Sequence, residues 1–307
     1  MEQRHAIVMA CDAGYAPYAM VLARTIRAQH PGAGFDICLF SEAALELPDA
    51  LRALDVRTGV LAAPNPFQGG PHQSRHGAAA YLRLMIPGLV AGRYDRVLYL
   101  DSDILCTGPG LDRLMAADMG GAWLAAVRDN LQWRTPGRPM PEFRALGRPS
   151  RPYLNSGVLL IDVAGWQAAG VEDQARALFA SHAAALTRHD QSILNLIADG
   201  DWAEMSPVWN WQYTWVSRFF ADLADPRLVH FIGSRKPWKD RAGHLPARYR
   251  APYAAMAAEW PGLAVAPAGV AGWPADLRRS LVKHWLAVPR MQAYLARFDD
   301  PFRLLRP

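Results

Sequence analysis

The sequence has few cysteines, few lysines and no long apolar run. Only Cys11, Cys38 and Cys106 are cysteines among its 307 residues, an odd number with no C-x-x-C pair. That spacing argues against a disulfide framework or a thiolate zinc site and fits three small buried thiols in a reducing compartment. No apolar stretch is long enough to span a bilayer. Met1–Ala10 carries Glu2 near its front, has a short apolar run and no cleavage site after it, so no secretory leader is expected and a cytoplasmic location is. Of 33 basic residues only Lys236, Lys239 and Lys283 are lysines, and the first two share one short motif. In a chain that otherwise uses arginine, that placement points to a compact point charge being wanted there. Internal repeats and low-complexity tracts are absent.

The chain is 51% hydrophobic and 20% charged, an ordinary globular balance with enough apolar mass for a large core. Its length accommodates one large α/β domain plus an appendage, or two modest domains. Net charge is +5 and the pI about 9.3. That excess favours anionic partners such as nucleotides, phosphorylated glycans or acidic membrane surfaces, without choosing among them.

Along the chain, short apolar runs alternate with helical patterns. Strands are expected at Ala6–Ala10, Phe35–Phe40, Val56–Leu61, Arg96–Leu100, Trp123–Val127, Gly157–Ile161 and Leu228–Ile232. Tyr18, Val21, Leu22, Thr25 and Ile26 share one face of a first helix. Leu45–Leu54 reads as a second helix, and a third, capped by Ser74, carries Tyr81 to Met85. Val163–Leu186 and Asp190–Ala198 follow as helices. Strand–helix alternation implies a parallel sheet with crossover helices. Arg134–Pro152, with five prolines and five arginines, reads as a long irregular loop. The expected division is a catalytic domain over 1–258, a Gly/Pro/Ala linker over 259–274 and a basic amphipathic helical tail over 275–307, broken near Pro289. The tail could pack on the main domain or dock on an anionic membrane surface.

The chemistry gathers at strand ends, where open α/β sheets bind ligands. Asp101-Ser102-Asp103 follows the strongest strand, and its two carboxylates can reach one hard divalent cation. A second pair, Asp199-Gly200-Asp201, follows a helix and brackets a glycine, so it reads as a turn. His230 closes a late strand and can add a nitrogen ligand, favouring a transition ion such as manganese. Gly233 permits close backbone approach, and Lys236 can contact a diphosphate. Asn155-Ser156-Gly157 and Asp190-Gln191 supply polar groups suited to sugar hydroxyls, although a turn and a helix cap explain each alone. Trp209 to Trp215 is densely aromatic, suited to stacking on an acceptor sugar or to packing under a loop.

Asp12 and Tyr15, Arg83, Asp101-Ser102-Asp103, Asn155-Ser156-Gly157, Asp190-Gln191 and His230/Gly233/Lys236 occur in an order that closely resembles glycosyltransferase family 8, over roughly residues 5 to 240. The resemblance implies a GT-A fold: a Rossmann-like α/β domain with a mixed, mostly parallel sheet flanked by helices. It implies transfer of galactose or glucose from a UDP-sugar to a glycan or glycolipid acceptor, with Mn²⁺ and retention of anomeric configuration, and no nucleic-acid partner. By resemblance, Ala10 and Asp12 contact the uracil and Tyr15 stacks on it. Arg83 and Ser102 join the donor site, Asp101, Asp103 and His230 hold the metal, and Gly233 and Lys236 the diphosphate. Asp129, Asn155 and Ser156 line the sugar and acceptor pockets with Asp190 and Gln191, the last two nearest the reaction. Gly14 stands where related enzymes often have Asn, so one nucleotide contact departs from the pattern. Front-face attack, with the leaving phosphate helping to deprotonate the acceptor, is the expected route. Two other readings stay open: a non-catalytic UDP-sugar-binding protein of the same fold, and a sugar nucleotidyltransferase. The second lacks support from a Gly-rich basic loop after the first strand.

Overall fold

In a computed structural model of the chain, residues 3–61, 65–67, 78–214, 217–260, 262–267, 269 and 277–307 are described. Ten strands are present among them: β1 (His5–Ala10), β2 (Asp36–Ser41), β3 (Val56–Val60), β4 (Arg96–Leu100), β5 (Ile104–Cys106), β6 (Leu124–Arg128), β7 (Leu154–Asp162), β8 (Ala203–Glu204), β9 (Trp211–Gln212) and β10 (Leu228–His230). Seven form one sheet in the order β3-β2-β1-β4-β7-β6-β8, and β5-β10-β9 form a second. In the large sheet β7 runs antiparallel to both β4 and β6, while the other neighbours are parallel. The mixed, mostly parallel α/β architecture expected from the sequence is therefore present.

The parallel strands are apolar on both faces because helices cover both. Ala6 to Met9 are fully buried, with Ile7 and Met9 facing one core and Ala6 and Val8 the other. The helix Ala16–Gln29 buries Val21, Leu22 and Ile26, as its periodicity requires.

Several elements depart from expectation. Leu45–Leu54 holds only a single turn, Asp49–Arg52, since Pro48 cannot continue a helix backwards from its N-terminus. Val163–Leu186 splits at left-handed Gly170 into Val163–Ala168 and Val171–His182, with a 3₁₀ turn at Ala183–Ala185. Tyr81 to Leu84 lie in a 3₁₀ segment, Ala78–Leu84, and Ser74 falls outside the described residues. Arg134–Pro152 is not wholly irregular, because Pro141–Ala145 forms a helix that buries Phe143. Asn155-Ser156-Gly157 sit inside β7 rather than before it.

The tail forms a helix, Leu277–Leu295, that runs through Pro289 instead of breaking there. From Ala287 onward it packs on the domain: Ala287, Met291 and Tyr294 are buried in the main core. Glu204, fully buried on β8, accepts hydrogen bonds from Arg128, Tyr294 and Arg297, and its backbone bridges to Leu305. Leu281, Val282, Trp285 and Leu286 remain exposed. No helix among the described residues is long and apolar enough to cross a membrane.

Candidate active site

The ends of β1, β4 and β10, the start of β7 and the N-terminus of the helix His189–Ala198 meet at one edge of the large sheet. The antiparallel β7 makes this meeting possible, because it starts where β4 finishes: Leu100 pairs with Val158, and the Asp101 amide donates to the Gly157 carbonyl. The chain turns through Asp101-Ser102-Asp103 straight into β5, and β5 pairs antiparallel with β10 so that Ile104 faces His230. The two sheets thereby bring both aspartates to one histidine.

Asp101, Asp103 and His230 each offer a ligand atom within 4.8 Å of the others. His230 Nε2 lies 3.1 Å from Asp103 Oδ1 and 3.8 Å from Asp101 Oδ2. Two carboxylates and an imidazole are a donor set for a first-row divalent ion. The sterics agree: a Cβ on Gly157 would lie 2.2 Å from His230 Cε1 and 3.0 Å from Asp101 Oδ2, so the absent side chain is the space that the ring and carboxylate occupy. Lys236 Nζ donates to Asp103 Oδ2 at 2.5 Å and to the Phe231 carbonyl at 2.6 Å. Burial opposes ionisation of Asp103, but His230 and Lys236 outweigh it and hold the carboxyl below the usual range.

Arg83 joins this cluster to Ser156 and Asp190. Its Nη2 is 2.8 Å from Asp101 Oδ1, its Nη1 donates to the Ser156 carbonyl at 2.7 Å, and its guanidinium lies over the Tyr99 ring. Tyr99 also donates to Asp101. Arg83 Nε sits 3.1 Å from Asp190 Oδ2 yet donates to the Ala80 carbonyl, so that carboxylate oxygen is buried with no hydrogen bond. Burial raises the Asp190 carboxyl to about 6, with Arg83 opposing and Asp101 adding to the rise. A buried acceptor without a donor is costly unless a ligand supplies one. The residue before it, His189, takes a left-handed backbone (φ 53°), which sets the turn that delivers Asp190 and Gln191.

The remaining expected residues separate into four places. Asp129, Asn155, Ser156 and Gln191 adjoin one another: Gln191 Nε2 donates to Asp129 at 3.0 Å, and Asn155 Nδ2 donates to Gln191 Oε1 at 3.1 Å. Asp129 also caps the helix Asn130–Trp133. Asp12 and Tyr15 follow β1, where Asp12 accepts from the Tyr15 amide at 2.9 Å. Burial raises the Tyr15 phenol, and the negative charges of Asp103, Asp12 and Asp101 raise it further. Ala10 is the last residue of β1, and Ser102 is buried in the turn between the aspartates. Gly233, left-handed at φ 77°, lines with Lys236, Lys239, Arg218 and His244 a basic cavity of about 510 Å³.

Asn210 was missed by the sequence reading. It is fully buried between His230 and Asn155, and its signal was hidden among tryptophans. Of the two readings of that aromatic run, packing is correct for its first half. Trp209 and Trp211 are fully buried, Trp211 against Trp133, so neither is a sugar platform; Trp215 lies outside the described residues. Asp199-Gly200-Asp201 is a turn, with Asp199 and Gly200 left-handed and Asp201 paired to Arg306.

This architecture, with an acidic pair ending a central strand of a mixed α/β sheet, is that of a GT-A glycosyltransferase. Residues 6–242 match the model of glycosyl transferase family 8, and the chain belongs to that family. It is 27% identical over 196 residues to general stress protein A of Bacillus subtilis (59% of this chain, 66% of that one). It is 29% identical over 185 residues to the lipopolysaccharide 1,2-glucosyltransferase of Escherichia coli K12 (56% and 52%). The matches thus span between about half and two thirds of these relatives' lengths. The galactosyltransferase LgtC, solved with donor and acceptor sugar analogues, superposes with a TM-score of 0.63 at 25% identity, covering 90% of this chain and 99% of that one.

Proposed function

We propose that the chain transfers a hexose, galactose or glucose, from a UDP-sugar to a glycan or glycolipid acceptor, with retention of configuration and dependence on Mn²⁺. The observation that carries this reading is the convergence of Asp101, Asp103 and His230 beside Lys236 and the buried Asp190 carboxylate. The three ligands would hold the cation, which when bound supplies positive charge against a nucleoside diphosphate. Lys236 adds a fixed ammonium on the same side, and Gly233 leaves the backbone open to close approach. Ala10, Asp12 and Tyr15 are suited to the uracil. Asp190 accepts a donor-sugar hydroxyl, while Arg83 holds Asp190 and Asp101 at a fixed spacing. Ser102 shapes the turn that carries the ligands, and Gln191, Asn155, Ser156 and Asp129 form the polar wall on the sugar side.

Asp190 is buried and one of its oxygens lies 3.1 Å from the Arg83 guanidinium, an ion pair that disfavours it as a nucleophile. The reading is therefore front-face attack, in which the departing phosphate takes the acceptor proton. A glycosylated Asp190 trapped by mass spectrometry would contradict it. The exposed Leu281, Val282, Trp285 and Leu286, with Arg278 and Lys283 on the same helix, support peripheral contact with the anionic inner face of a membrane, hence a cytoplasmic site of action. Turnover of a UDP-hexose panel with and without Mn²⁺ tests the donor and metal together. Loss of all turnover, with UDP still bound, would leave a non-catalytic binding protein.

A further inference from the structure

The side-chain amides behind the metal triad form a chain with one direction. Gln191 Oε1 accepts from the Ser156 amide at 3.3 Å, and Asn155 Oδ1 accepts from the Gly157 amide at 3.1 Å. A backbone N–H only donates, so each contact fixes which end of the side-chain amide is oxygen. Gln191 Nε2 then points at the Asp129 carboxylate, and Asn155 Nδ2 points at Gln191 Oε1. Asn155 Oδ1 also accepts from Asn210 Nδ2 at 2.8 Å, which turns Asn210 Oδ1 toward His230 Nδ1 at 3.0 Å. An amide oxygen cannot donate, so the hydrogen in that last contact belongs to His230.

We infer that Asn210 is a positioning residue that keeps the hydrogen of His230 on Nδ1, so that Nε2 alone faces Asp101 and Asp103 as the ligand nitrogen. The inference rests on the proposed metal site for its purpose, but not for its geometry. Asp129, Gln191, Asn155, Asn210 and His230 are all buried, so water does not compete along the relay. Without Asn210 Oδ1, Asp103 at 3.1 Å is the nearest strong acceptor for the imidazole hydrogen, and a hydrogen on Nε2 blocks a cation there. Partners of this kind typically change metal affinity by about 10–100-fold.

Two variants separate this role from packing. Asn210→Leu keeps the branched outline and removes the acceptor, whereas Asn210→Asp keeps an acceptor toward Nδ1. Nitrogen NMR of histidine-labelled, metal-free protein at pH 8, with the His230 signals assigned by His230→Ala, reads the site of protonation directly. Free Mn²⁺ measured by electron paramagnetic resonance in the presence of UDP reads affinity. The expected result is a protonated Nδ1 in the wild type and in Asn210→Asp, with Mn²⁺ affinities within about threefold of each other. Asn210→Leu should lose the Nδ1 hydrogen and bind Mn²⁺ about 10–100-fold more weakly. An unprotonated Nδ1 in the wild type overturns the inference, as does wild-type affinity in Asn210→Leu or equal loss in both variants. If Asn210→Leu does not fold, the wild-type spectrum decides alone. A protonated Nδ1 with no Mn²⁺ binding would sink the metal reading and leave the relay standing.

Discussion

Replacing Gly157 with alanine should disable the site while leaving most of the fold intact. The added methyl would stand 2.2 Å from His230 Cε1 and 2.6 Å from Nδ1, where ordinary contact begins near 3.4 Å. The ring must therefore retreat by about 1.2 Å where the Gly157 backbone stays in place, held by its carbonyl to the Asp101 amide and by the neighbouring Val158–Leu100 pair. Its φ is not left-handed, so alanine brings no backbone strain of its own. A displacement near 1 Å at a positioned group costs catalysis on the order of 100-fold, or about 2.7 kcal/mol. Crowding a packed interior adds roughly 1–3 kcal/mol of destabilisation. The assay pairs kcat/KM for UDP-hexose turnover with urea denaturation, in both the wild-type and His230→Ala backgrounds. If the clash is with the ring, alanine at 157 should cost little further stability once the ring is gone. A Gly157→Ala enzyme within threefold of wild type, or an equal stability loss in both backgrounds, would refute the steric reasoning.

The Asp190 carboxyl is raised to about 6, against 3.8 for an ordinary aspartate, so its contribution to stability is fully present below pH 4 and lost as pH rises through 6. Thermal melts from pH 4 to 8 should show the wild type losing ground to Asp190→Asn across that window; a constant gap would contradict the burial argument. Glu204→Gln leaves Arg128 buried without its anion and weakens the anchoring of Tyr294 and Arg297. It should lower unfolding free energy by about 3–5 kcal/mol, and a loss under 1 kcal/mol would show that the tail packs independently of it. Trp285→Ser with Leu286→Ser should leave turnover of a water-soluble acceptor unchanged and reduce sedimentation with anionic vesicles. Unchanged sedimentation would remove the membrane reading.

Strands buried on both faces are the most legible part of this chain. β1, β2 and β4 are unbroken apolar runs, and they matched expectation to within a residue or two. β8 and β9 are two residues each and carry no periodicity, so their pairing is decided by tertiary contacts that a sequence does not display. Two glycines illustrate the same limit. Gly170 divides a helix that reads as continuous, because one left-handed residue leaves no trace in the hydrophobic pattern. Gly157 could be read as a turn residue, while its actual role is to leave room for a side chain 73 positions away. Asp101, Asp103 and His230, the proposed metal ligands, were visible because strand ends announce them. Asn210 was not, since a single polar residue between tryptophans gives no sign of the residues it will connect.

The most direct test of the account is UDP-hexose hydrolysis by wild type and Asp103→Asn with Mn²⁺, Mg²⁺ or EDTA. The expected result is Mn²⁺-dependent turnover of UDP-galactose or UDP-glucose, abolished by EDTA and by Asp103→Asn. Turnover that persists undiminished in EDTA or in Asp103→Asn would contradict it.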